Sequence, residues 1–477
     1  MKIGKKEFIK RFIYAASANL ISLLVSVLTT LLIPKFLGAK VEEYGYLQLY
    51  LFYTSYVGFL HFGWVDGILL REGGKAYDSL DKPLYAYQYR LFASFELIVS
   101  LLIVALTLLL GLDADKTFVL NFTAANVLIM LMRSFLQYVL QATNRIREFS
   151  LTASVGRVLY LLLCVAAMLL KIGTYRIFVI ADTLCKLLSL LLTVYFCRDI
   201  VFAGTANTGF QPVKTEIFSN VSAGIKLVFA NIASMLITGI VRQGIENRWD
   251  ISTFGKVSLT LSISNFFITF ISAVAIVLFP TLRTVDKEKL PPIYKKVEYA
   301  LAFVAFGLIT LYYPLRIVLA SWLPHYSDGL KYMAILFPMC FYLSKVTLLI
   351  QTYYQVLRYE KDLMWVNMIS LAFSVVSTYV SIYILHDLSL AVFSILLNQG
   401  VRCVLAEGHL SRLTGIPVLR DIIADTVMVG AFIVANWLIE GWTGFLLYFC
   451  FYVAYLVINK KAVRDTFGSL TALIKKH

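Results

Sequence analysis

Charge is scarce in this sequence of 477 residues. Asp, Glu, Lys and Arg make up 15 % of it and apolar residues 60 %, whereas ordinary globular chains carry about 25 % charged and about 45–50 % apolar residues. Too few polar groups remain to coat a water-soluble body. That excludes the soluble domains of about 150 residues each that the length alone would suggest, and disordered, fibrous and disulfide-rich secreted chains with them. Cysteine is sparse: Cys164, Cys185, Cys197, Cys340, Cys403 and Cys450 lie in or beside apolar runs without a Cys-x-x-Cys pair, and read as small packing residues. The five histidines are scattered with no metal-ligand spacing, so no metal or cofactor is expected. Gly73-Gly74-Lys75 lacks the spacing of a Walker loop, which leaves no visible ATPase. Connections are short too, the longest running from Arg198 to Asn220. None is large enough for a catalytic domain, and the chain is not expected to be an enzyme.

What is present is apolar length. A membrane-spanning helix needs about 20 mostly apolar residues, and fourteen such runs occur, over 12–34, 46–70, 91–111, 118–142, 151–170, 177–197, 221–245, 255–280, 298–322, 332–356, 363–385, 389–407, 421–439 and 441–459. They are too long and continuous for barrel strands, the other structure able to cross a bilayer. The expected fold is an all-α polytopic membrane protein with about fourteen transmembrane helices. The first run is longer than a signal-peptide core and is followed by Pro34-Lys35-Phe36, so it reads as a retained helix.

The net charge of +15 is distributed by side. With the N-terminus placed inside, inner connections and tails hold 27 Lys and Arg, and outer ones hold 8. Basic residues concentrate on the cytoplasmic side of membranes, so both termini are expected in the cytoplasm. The asymmetry explains the basic charge without nucleic acid, which is not an expected partner.

The chain also repeats itself. Asn19, Ser22, Ser26 and Thr30 in the first run recur as Asn231, Ser234, Thr238 and Arg242 in the seventh, each at a shift of 212. Gln137 and Gln141 recur as Gln351 and Gln355 at 214, and Asp182/Lys186 answer Asn398/Arg402. Matched polar stripes imply matched interior faces. Six helices per shift is an even number, so the repeat is parallel. The expected organisation is a six-helix bundle over 1–200, a cytoplasmic linker over 201–220, a second six-helix bundle over 221–412, and two extra helices with a basic tail over 413–477.

Eight basic residues remain inside the spans: Arg133, Arg157, Lys186, Lys226, Arg242, Arg316, Lys345 and Arg402. Each costs about 2.5–3.5 kcal/mol at the bilayer centre, so most must face partners, water or a cavity. Lys226, Arg316 and Asp425 lie near run ends and read as snorkelling. Asp182/Lys186 and Arg242/Glu246 are four apart, where mutual neutralisation and a functional role are both open. Arg133, Arg157, Lys345 and Arg402 have no acid at helical spacing and are expected to line a cavity. Surplus positive charge there suits an anion, and guanidinium forks match phosphate oxygens. Candidate substrate-binding residues are therefore Arg133, Arg157, Lys186, Arg242, Lys345 and Arg402, with Gln137, Gln351, Asn19 and Asn231 from the repeated stripes. Asp182, Glu246 and Asp66 are the candidates for ion coupling, since buried carboxylates beside positive charge readily exchange protons. Tyr46, Tyr50 and Tyr53 share one helical face, where sugar stacking competes with plain packing.

The Ala18-Asn19 stripe, Leu37-Gly38 before Tyr44-Gly45, and Gly63-Trp64-Val65-Asp66-Gly67 before Arg71 resemble the polysaccharide-transporter branch of the multidrug/oligosaccharidyl-lipid/polysaccharide flippase superfamily, whose members include the O-antigen flippases. The resemblance covers the chain in length and helix layout, with its motifs concentrated in the first 75 residues. It implies a secondary transporter, without cofactors, that flips undecaprenyl-pyrophosphate-linked oligosaccharide units across the bacterial cytoplasmic membrane for surface polysaccharide biosynthesis. The implied partners are that lipid-linked substrate, membrane lipids and polysaccharide polymerase machinery. A peptidoglycan-precursor flippase, a multidrug or cation antiporter and a membrane-embedded polymerase are the alternatives. The scarcity of interior carboxylates argues against the antiporter, and the lack of a long loop or acidic catalytic cluster against the polymerase.

Overall fold

The computed structural model describes residues 5–206, 208–283, 290–439 and 441–460, with side chains from 14 onward except those of 15, 16, 267 and 269–283. Lys2, Lys287, Lys289 and the basic tail after Lys460 lie outside the described residues or side chains. Every described element is helical, as twenty-residue apolar segments require when all backbone donors and acceptors must be satisfied within the segment. Contacts divide the chain into two compact units, Met1–Ile232 and Ala233–His477.

The first unit contains α1 (Lys5–Leu37), α2 (Val41–Tyr56), α3 (Trp64–Glu72), α4 (Lys82–Leu109), α5 (Ala114–Ala142), α6 (Ile146–Leu169), α7 (Tyr175–Phe196) and the start of α8 (Phe210–Arg248). The second continues α8 and adds α9 (Ile251–Arg283), α10 (Leu290–Ile309) and α11 (Tyr312–Trp322). It ends with α12 (Met333–Val356), α13 (Glu360–Ile384), α14 (Leu388–Thr414), α15 (Leu419–Ile439) and α16 (Gly441–Ile458). Eleven of these are long and apolar enough to cross a membrane, and α10 with α11 forms a bent pair that passes the same test as one span. The chain is a multi-pass membrane protein.

The remaining two runs have identifiable reasons for falling outside that count. The run over 46–70 is interrupted: Phe62 and Gly63 adopt φ of 48° and 85°, which reverses the chain and starts α3 as a separate helix. The run over 255–280 lies in α9, much of whose side-chain structure is outside the described set. The linker expected over 201–220 is shorter than anticipated, because α8 begins at Phe210 and continues unbroken to Arg248. Division into units falls inside that helix.

The resemblance motif around Gly63 has a packing cause. A Cβ on Gly63 would sit 2.3 Å from the Ile225 nitrogen, one on Gly67 1.9 Å from the Asn220 oxygen, and one on Gly224 2.0 Å from the Gly63 oxygen. All three positions must therefore be glycine for α3 and the start of α8 to cross backbone to backbone. Arg71 fixes the same crossing, donating to Glu216 at 2.5 Å and to the Asn220 side-chain Oδ1 at 2.6 Å.

Each unit has a central helix. α5 packs against α4, α7, α3 and α2 in the first unit. α12 is buried along nearly its whole length in the second, as a helix apolar on every face must be. The sixth helix of each expected bundle packs on its fourth and fifth: α7 on α5 and α6, and α14 on α12 and α13.

Candidate functional sites

In the first unit, α5, α6 and α7 bring their polar residues to one interior level. Tyr50 of α2 is wholly buried and donates to the Asp182 Oδ2 atom at 2.6 Å. Lys186, one turn on, holds the same carboxylate at 2.6 Å and lies over the Tyr50 ring. Asn126 of α5 donates to both the Tyr50 and the Thr183 hydroxyl at 3.0 Å. Asp182 is thus doubly engaged, and Lys186 spends its charge on it.

Arg133 is different. Its single hydrogen bond to a described residue is a long one, 3.4 Å to Ser189, and its Nε is buried without a hydrogen-bond partner. Arg157 on α6, an exposed side chain of this unit, lies near enough for its charge to act on Arg133, as does that of Asp182. Lys186 thus pairs with Asp182, whereas Arg133 and Arg157 have no carboxylate contact among the described residues. Gln137 continues the Arg133 face but turns to its own unit, donating to Thr152 at 3.0 Å. The arrangement has two guanidinium forks with unfilled donors, the chemistry that takes a phosphate or pyrophosphate.

The expected tyrosine stripe resolves into packing. Tyr50 is sealed under Asp182 and Thr183, and Tyr46 stacks on Tyr175 with centroids 5.2 Å apart. Neither presents a free face to a sugar at these contacts.

In the second unit, Lys345 corrects the sequence reading. It was expected to be unpaired and to line a cavity, yet it is 1 % exposed and contacts Glu298 at 2.8 Å, Glu407 at 2.8 Å and Asp425 at 2.7 Å. It donates to Asp425 and is ion-paired with Glu298 and Glu407, so its charge is spent on carboxylates rather than offered to a phosphate. Asp425 is likewise buried rather than snorkelling. The partners come from α10, α14 and α15, too remote in sequence for helical spacing to disclose. Glu298 and Glu407 sit at the ends of their apolar runs, where a carboxylate reads as interfacial. The missed signal was a lysine in the middle of a run that is apolar on every face.

Arg402 is also buried, donating from Nε to the Asn367 side-chain Oδ1 at 2.9 Å, with no carboxylate contact among the described residues. Asn398, one turn before it and the counterpart of Asp182 in the repeat, is held by Ser374 and Ser377. Arg242 donates to Ser258 at 3.0 Å and lies over the Phe254 ring. Glu246 is buried and accepts from Gln243 at 2.9 Å. Gln351 is half-buried, and Asn19 and Asn231 are exposed within their units. Asp66 is buried 3.7 Å from His61, beside the break that starts α3. The candidate residues of the first unit are Arg133, Arg157, Lys186 and Asp182, with Gln137 on the Arg133 face. Arg402, Arg242 and Gln351 are the candidate residues of the second.

No family model and no curated protein matches the chain. Solved structures do. The lipid II flippase MurJ in an inward closed conformation is similar over 95 % of this chain and 100 % of that one, with a TM-score of 0.65 at 13 % identity. An inward-facing multidrug resistance MATE family transporter of the MOP superfamily is similar over 87 % and 98 %, with a TM-score of 0.55 at 11 % identity. A MATE crystal structure in complex with MaL6 is similar over 89 % and 96 %, with a TM-score of 0.50 at 13 % identity. These likenesses are between folds: the chain has the all-helical fold of these structures.

Proposed function

We propose that the chain is a secondary transporter that flips an undecaprenyl-pyrophosphate-linked oligosaccharide across the bacterial cytoplasmic membrane for surface polysaccharide assembly. The observation that carries this reading is Arg133, a half-buried guanidinium whose Nε is buried without a hydrogen-bond partner, near Arg157 in a transporter fold. A pyrophosphate supplies the oxygens that such donors lack, and its negative charge offsets the cost of two guanidinium groups inside a membrane protein. Lys186, Arg402, Arg242, Gln137, Gln351, Asn19 and Asn231 are proposed as further contacts along the path, with Asp182, Glu246 and Asp66 proposed in ion coupling. Lipid II translocation, the activity named for MurJ, uses the same head-group chemistry and is the second reading. A cation antiporter is less well served, since the one carboxylate beside Arg133 is already held by Lys186 and Tyr50. Membrane lipids surround the protein, and polysaccharide polymerase machinery is proposed to act on what it delivers.

A cysteine at 133 or 157 in an otherwise Cys-free protein tests the site. Impermeant thiol reagents should label both, and inorganic pyrophosphate should slow that labelling. If neither position labels, or if pyrophosphate leaves both rates unchanged, the anion site is not there. The proposed orientation, with both termini in the cytoplasm, is tested by reporter fusions. Those at Lys75 and Lys361 should read cytoplasmic and those at Lys116 and Lys331 external, and the reverse pattern contradicts it.

A further inference from the structure

The Lys345 cluster holds more negative than positive charge. Lys295 of α10 contacts Glu298 at 3.1 Å and also pairs with Asp421 of α15. Two ammonium groups therefore serve four carboxylates, Glu298, Glu407, Asp421 and Asp425. Lys345, Glu298, Glu407 and Asp425 are all buried. Two uncompensated negative charges are not sustainable in such a place, because desolvating each ion costs several kcal/mol, on the order of what a whole fold can spare. Metal cannot occupy the centre, since the Lys345 ammonium is already within 2.8 Å of its three carboxylates.

The geometry supplies the other cation. Glu298 Oε1 and Glu407 Oε2 each lie 2.8 Å from the Lys345 Nζ, with Asp425 a third carboxylate on the same ammonium. Carboxylates crowded on one buried cation repel each other, and a proton on one of them removes that repulsion. Tyr294 donates to the other Glu407 oxygen, Oε1, at 3.0 Å. The other titratable neighbours are Tyr342 on α12, Cys403 on α14, and Tyr299 and Tyr455 at the margin. None of these brings a positive charge, and Arg420, the further cation at the cavity, is exposed to solvent rather than buried with the carboxylates. A cavity of about 340 Å³ reaches the cluster, lined by Glu298, Asp421 and Asp425 with Arg420 and Asn459, and gives water a route to it.

We propose that Glu298 and Glu407, organised by Lys345, Asp425 and the Lys295–Asp421 pair, form a proton-exchange site of the second unit. On the transport reading, on which only its physiological use rests, this site is where a proton gradient acts. Release of that proton turns a carboxyl–carboxylate pair into two repelling carboxylates on α10 and α14. Uptake draws them together again. Lys345 remains an ammonium throughout and the proton passes to cavity water, so the step needs no further reactant. This site is additional to Asp182, Glu246 and Asp66.

Infrared difference spectroscopy on the purified full-length protein reads the carboxylic C=O stretch directly, with no substrate added. A protonated-carboxyl band should appear and titrate between about pH 5 and about pH 9. It should weaken in Glu407→Gln and in Glu298→Gln, vanish in the double variant, and persist in Asp328→Asn, whose side chain is 82 % exposed. Should the double variant fail to fold, the single variants decide. Absence of the band in the wild type, or a band untouched by both single variants, overturns the proposal. A protein that moves no lipid-linked sugar but shows this pattern would fail as a flippase and still possess the site.

Discussion

Replacing Arg133 and Arg157 together with alanine should cut translocation of a pyrophosphate-linked oligosaccharide by about two orders of magnitude or more. Hydrogen bonds to a charged group contribute about 1.5–3 kcal/mol each, so the two guanidinium groups together supply about 3–6 kcal/mol, at about 1.4 kcal/mol per tenfold. The protein should still fold. Arg133 makes one long hydrogen bond to a described side chain, and removing two like charges that act on each other relieves repulsion. Arg133→Lys separates charge from shape: it retains the cation and loses the fork, and should fall between wild type and alanine. Initial rates in vesicles, normalised to folded protein by gel filtration, check this. Equal loss of folded protein and of rate would assign Arg133 and Arg157 to structure instead.

Lys345→Met should behave in the opposite way. Removing the cation leaves Glu298, Glu407 and Asp425 buried around a methyl group, and breaking a buried pair from one side costs about 3–5 kcal/mol. The expected result is a large drop in the thermal unfolding temperature in detergent and in the yield of folded protein. Combining Lys345→Met with Glu407→Gln should recover part of that loss, because less charge is then stranded. Were Lys345 a substrate ligand, as its spacing on the helix suggests, Lys345→Met would fold normally and lose only transport. Melting curves of the three proteins distinguish the two.

These two residues also show what the sequence makes legible. Both are basic groups in apolar runs with no acid one turn away, and helical spacing cannot tell them apart. Their difference is tertiary: α10, α14 and α15 deliver three carboxylates to Lys345, whereas Arg133 receives a hydroxyl. The spans themselves were readable because a bilayer demands about 20 apolar residues in a row, and each of the fourteen runs falls on a helix, a bent pair or an interrupted pair. Local pairs were readable too, as with Asp182 and Lys186 at 2.6 Å. Breaks inside runs were not. Residues 46–70 look continuous because Gly58, Gly63 and Gly67 sit among apolar neighbours, and the left-handed Phe62 and Gly63 leave no mark on hydropathy. The three-glycine crossing of α3 and α8 was visible as a motif but not as a contact, since Gly224 lies far along the chain from Gly63.

The most direct test of the account uses vesicles containing the purified protein and an undecaprenyl-pyrophosphate-linked oligosaccharide placed in one leaflet. Sugar exposed on the opposite leaflet is then cleaved by an added glycosidase. Wild-type vesicles should expose the sugar faster than protein-free vesicles, and vesicles with Arg133→Ala/Arg157→Ala should match the protein-free rate. Wild-type vesicles that expose the sugar no faster than protein-free ones, or a double variant as fast as wild type, would contradict it.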